Sequence, residues 1–103
     1  MRFKLAFHPL VRIDLVEAST WYELREPGKG QQLETEAHDV FRRFPDAALF
    51  YAVRFEDVRR ANLRTFPHGI FYFIHSETVV VLGILHGARD SEEELQRRRE
   101  TYG

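Results

Sequence analysis

The sequence predicts an α+β fold in a single domain spanning residues 1–103: a strand, a helical hairpin, an antiparallel three-strand meander and a short C-terminal helix. Three observations predict it. Phe3, Leu5 and Phe7 alternate with Arg2, Lys4 and Ala6, the two-residue period of a strand with one buried face. From Val11 to Phe44 apolar residues recur at helical spacing instead, interrupted once by Pro27, Gly28, Lys29 and Gly30. From Val58 the two-residue period returns, and it ends in residues 79–85, apolar at every position except Gly83, as expected of a central strand covered on both faces.

Pro9 suits the first turn of the first helix, where its missing N–H costs nothing, and Val11, Leu15, Ala18 and Tyr22 form that helix's apolar side up to about Glu26. The Pro27 to Gly30 breaker is the right length for an antiparallel hairpin. In the second helix Leu33, Ala37, Val40, Phe41 and Phe44 make a stripe that Pro45 is expected to close. Residues 52–55 read equally as a strand or a packed loop. The meander runs from Val58, turns at Pro67, and continues through residues 70–75 and 78–86 around a Ser76, Glu77 tip. Its last strand is the natural neighbour of the first. Ser91 has the look of an N-cap, followed by three Glu residues and later Arg97, Arg98 and Arg99, which gives a charged terminal helix with little to bury.

Composition narrows the function classes. Fifteen basic against sixteen acidic residues give a net charge of -1, so any nucleic-acid surface must be local. Zero Cys excludes disulfides, thiolate metal sites and cysteine nucleophiles. No apolar run approaches the ~20 residues of a membrane span, so a protein without membrane contact or signal peptide is expected.

Several segments then carry a resemblance in order and spacing. They are Asp14-Leu15-Val16-Glu17-Ala18 with Trp21-Tyr22-Glu23, the Pro27 to Gly30 breaker, residues 59–68, Ile70-Phe71-Tyr72, and residues 79–90. Over about nine tenths of the chain the sequence resembles the ParE/RelE superfamily of small bacterial toxins from type II toxin-antitoxin pairs, also called plasmid stabilisation proteins. The resemblance implies a cytoplasmic growth-inhibiting toxin that binds DNA gyrase and is neutralised by a cognate antitoxin. The alternatives it leaves open are a ribosome-dependent messenger RNA endoribonuclease of RelE type and a degenerate toxin that only binds its antitoxin. The sequence departs from the RelE pattern: Gly69 stands where an Arg opens the third strand, the Lys-rich run is replaced by Arg, and the terminal catalytic Tyr has no clear counterpart. Enzymatic activity is thus the less favoured expectation, and no cofactor is implied.

The candidate functional residues follow from strand period and resemblance together. Arg60 and Arg64 should share one sheet face, with Arg59 on the other, and such a pair can grip a phosphate or carboxylate; bridging to Glu56, Asp57 or the acidic terminal helix is the plainer role. Arg89 takes the place of a functional Arg of ribonuclease members. His68 should lie beside Leu85 or His86. Arg60, Arg64, His86 and Arg89 are the catalytic candidates for phosphate stabilisation and proton transfer. Two imidazoles with only Asp90 near do not make a metal site. Trp21, Leu24 and Leu95 are the candidate antitoxin contacts, and a homodimer would hide the same surface; the terminal segment 91–103 is expected to be mobile or displaceable.

Overall fold

The computed structural model describes residues 2–87 and 89–102, apart from the side chains of Arg89 and Asp90. Strands β1 (Lys4–Phe7), β2 (Val53–Phe55), β3 (Val58–Asn62), β4 (His68–His75) and β5 (Thr78–His86) form a five-stranded sheet in the order β1-β5-β4-β3-β2. Pairing is antiparallel from β2 to β5, while β1 lies parallel to β5 with Leu5 opposite Val79 and Phe7 opposite Val81. The apolar run of β5 is interior, between β1 and β4, as its composition requires. The meander has four strands: the segment that read two ways forms the short edge strand β2, tied to β3 across an irregular register.

Helices α1 (Leu10–Arg25) and α2 (Lys29–Ala47) cover one face. Their Val11, Leu33, Phe41 and Phe44 pack with Val79, Val81 and Ile84 in one core, flanked by Leu15 and Tyr22. The helical hairpin is tighter than its breaker suggests, because Lys29 and Gly30 already belong to α2. Gly28 takes a left-handed φ of 92°, and the helix start has no side-chain cap of its own. Glu23 of α1 replaces it, accepting from the backbone N–H of Gly28 at 2.8 Å and of Gly30 at 3.0 Å. A Cβ on Gly30 would stand 2.3 Å from the Ser19 carbonyl, so close helix contact requires glycine there. Pro45 does not end α2: it falls in the last turn, and its carbonyl accepts from Phe3 N–H at 2.8 Å.

The terminal helix α3 (Arg89–Glu100) covers the opposite face. It is held more firmly than its apolar content implies. Leu95 is fully buried among Val58, Phe71, Phe73, Val80 and Leu82. Arg98, almost as buried, reaches the edge of β5 and meets Asp14 from α1, with Nη1 to Oδ2 at 2.6 Å and Nη2 to Oδ1 at 3.2 Å. Arg99 grips Asp57 with two bonds of 3.1 and 2.9 Å. Leu95, expected as a partner contact in a weakly held tail, is thus buried in this arrangement, and polar anchors at long range, invisible to periodicity, add to its hold on the helix.

Those anchors solve a backbone problem. Leu82 is skipped in the pairing of β5 with β4, since Phe71 faces Gly83 while Tyr72 faces Val81. β1 ends at Phe7, opposite Val81, so β5 continues past its neighbour. There Asp14 Oδ2 accepts from Ile84 N–H at 3.0 Å, and Arg98 Nη1 donates to the Leu82 carbonyl at 3.0 Å. The ion pair thus completes a sheet edge from which a strand is missing. Gly83 makes room, for a Cβ there would meet Arg98 Nη1 at 2.5 Å.

Candidate functional site

The candidate residues gather at the end of the sheet where β4 begins and β5 stops. His68 and His86 are direct partners, with ring centroids 5.6 Å apart. Burial, then His86, then Arg60 hold the His68 imidazole below its usual 6.5, so it is predominantly neutral at pH 7. His86 is exposed. Beside them a cleft of about 450 Å³ runs along α1, lined by Asp14, Glu17, Trp21, Tyr22, His68 and His86. Trp21 is half exposed under the Arg25 guanidinium, which stacks 3.4 Å from its ring, and Leu24 is 79% exposed.

Arg59 and Arg60 take opposite faces, as strand period places them, and Arg64 departs from the reading. Arg59 turns to the helical face and donates to the Tyr51 carbonyl at 2.7 Å. Arg60 lies across the other face: Nε donates to Asn62 Oδ1 at 2.5 Å, Nη2 donates to the Pro67 carbonyl at 3.2 Å, and the guanidinium stands 5.2 Å from the Phe71 ring centre. Arg64 does not join it. β3 ends at Asn62, and Glu36 of α2, itself buried, accepts from the backbone N–H groups of Arg64 and Thr65 at 3.1 Å each. Burial opposes that carboxylate's charge, yet the bonds from Thr65 and Arg64 hold its pKa below the ordinary value. Arg64 consequently lines a small cavity with Glu36, Asp39 and Arg43, apart from those Arg60 lines. The neighbour of Arg60 is Arg54 of β2, whose charge adds to burial in depressing the Arg60 pKa. Sequence reasoning passed over Arg54 because β2 itself was ambiguous. Arg89 opens α3 next to the end of β5, but its side chain lies outside the described residues, as does that of Asp90.

No group of three or more His, Cys, Asp or Glu among the described residues is arranged to hold a metal ion, and no described helix is long and apolar enough to cross a membrane. The remaining polar chemistry is a neutral histidine beside an exposed one, with a pre-oriented arginine nearby.

Comparison with known proteins adds to this geometry. The family model described as the ParE toxin of type II toxin-antitoxin system, parDE, matches residues 5–91. No curated protein matches the chain. Seven chains of solved structures do. One, from the chromosomal ParDE TA system of P. aeruginosa, superposes with a TM-score of 0.74 at 15% identity, covering 84% of this chain and 98% of its own. At that identity the likeness shows a shared fold.

Proposed function

The chain belongs to the ParE toxin family of type II toxin-antitoxin systems, and on that premise we propose that it arrests growth in the cytoplasm by binding DNA gyrase and is neutralised by a cognate antitoxin. The observation that carries binding over catalysis is the separation of Arg64 from Arg60 and His86. Arg60 stays at the end of the sheet, whereas Arg64 lines a cavity beside Glu36, Asp39 and Arg43. A ribonuclease needs a base and phosphate-binding cations converging on one phosphodiester. Arg60, His86 and Arg89 are instead proposed as part of the surface that meets the target, at the open end of the sheet.

For the antitoxin, exposed Trp21 and Leu24 on α1 are the proposed contacts. Contact with Leu95 would require lifting α3 and breaking the Asp14–Arg98 pair. Two parallel assays test the target: purified protein added to a gyrase supercoiling reaction, and to a cell-free translation reaction with intact messenger RNA. Supercoiling is expected to stop first; cleavage of the message with supercoiling untouched would reject gyrase in favour of the ribosome. Hydrogen exchange with and without the antitoxin tests the docking face, with added protection expected in residues 10–47.

A further inference from the structure

We propose that Arg54, Arg60 and Asn62 form a binding site for a phosphate group on the face of the sheet beside β2. The three side chains line a cavity of about 330 Å³ whose other walls are Leu63, Phe66, Pro67 and His68. No carboxylate lines it. Two guanidinium groups are thus brought together, Arg60 partly desolvated, and neither is paired with an acid among the described residues. Arg54 is exposed and Arg60 half-buried, and two like charges side by side add no stability to the fold. An anion removes the repulsion.

The site is also built in advance. Arg60 occupies a trough floored by two glycines: a Cβ on Gly69 would stand 2.3 Å from Arg60 Nε, and one on Gly87 would stand 2.0 Å from Nη1. With Nε and Nη2 held by Asn62 and Pro67, the guanidinium keeps its orientation, and Nη1 stands against Gly87 at the border with the adjoining cavity. Because Arg60 Nε can only donate, Asn62 must present its oxygen to it, which leaves the Asn62 amide N–H₂ as a further donor. Donors from two strands around one cavity suit the several oxygens of a tetrahedral phosphate better than the two coplanar oxygens of a carboxylate. The adjoining 190 Å³ cavity on the Gly87 side carries Glu92, and this bounds the site in that direction.

The source of the phosphate group, a free or monoester phosphate or the phosphodiester of a nucleic acid, is separated by the choice of probe. Isotope-labelled full-length protein is titrated with inorganic phosphate, and separately with a short single-stranded oligonucleotide lacking terminal phosphates, at matched ionic strength. Saturable amide shifts are expected at Asn62, Phe66 and Gly69. Arg54→Gln should weaken binding roughly tenfold or more, the loss of one charge-assisted hydrogen bond. Gly69→Ala should do the same with every charge retained, by evicting Arg60 from its trough, and Arg60→Gln provides a check that does not crowd the sheet. Arg43→Gln, a surface charge elsewhere, should leave binding unchanged. Tighter binding of the oligonucleotide supports a phosphodiester ligand; binding of inorganic phosphate alone supports a free phosphate or monoester. Absence of shifts with both probes, or affinity that survives both Arg54→Gln and Arg60→Gln, overturns the site. Gyrase inhibition can fail its own test with this result unaffected.

Discussion

The Asp14 carboxylate does three things at once: it accepts from Ile84 N–H, pairs with Arg98, and so joins α1 to α3 around the end of the sheet. Removing it strands a buried guanidinium and a backbone donor together. Asp14→Ala should therefore cost about 3–5 kcal/mol in urea unfolding, whereas Asp39→Ala, at the partly exposed end of a surface pair, should cost under about 1 kcal/mol; equal small losses would mean that the edge repairs itself with water. Replacing both Asp14 and Arg98 by apolar residues should recover part of the loss, because the unpaired charge is then absent. None of this was legible in the sequence. Asp14 was read as one residue of a resemblance and Arg98 as one of three terminal arginines, since a pair 84 residues apart leaves no mark on local period. The Arg60 and Arg64 reading failed for a related reason. Strand period was carried two residues past Asn62, where Glu36 pulls the backbone into a turn.

Among the elements, those with a continuous apolar signal were legible: β1, β5, and the α2 stripe of Leu33, Ala37, Val40, Phe41 and Phe44 all lie where period places them. Phe41→Ala should thus cost about 3–5 kcal/mol, as expected for an aromatic side chain lost from a core. Two elements were poorly legible. β2 has three residues on an edge with an irregular register, too short to show alternation. α3 has one apolar anchor among charges. Its stability is the sharper question, because a polar helix of 12 residues does not persist alone in water. Leu95→Ala is expected to cost about 2–5 kcal/mol, and amide exchange in α3 should be slow in the wild type and fast in Leu95→Ala. Fast exchange in the wild type would show that the Arg98 and Arg99 contacts do not hold the helix in solution.

For the whole molecule the fold opposes protonation at several places. Burial, then Arg98, holds His8 below 6.5, and burial, then His86 and Arg60, does the same to His68. The unfolded chain binds these protons first. Their contribution to stability is complete above about pH 6.5 and is lost as pH falls through the lower folded values. A second stage follows in acid. Asp57, held down chiefly by Arg99, Glu94, held down chiefly by Arg98, and Glu36 all have folded values below the ordinary carboxylate ones, so their contributions vanish as pH drops through those values. The thermal midpoint should be flat above neutrality and fall in two steps, the first shallower in His68→Gln; a midpoint unchanged between pH 7 and about pH 5 would contradict the first step. Connectivity adds a constraint on how the chain matures during synthesis. β1, made early, pairs with β5, and the Leu82 carbonyl finds its donor only when Arg98, made after β5, can reach the sheet edge. A nascent chain stalled before Arg98 carries an open sheet edge, with apolar β5 exposed to other stalled chains. Closure of the sheet edge is thereby deferred: β5 is shielded only once a helix made after it has folded back, so the last strand of the sheet depends on residues that are not part of it.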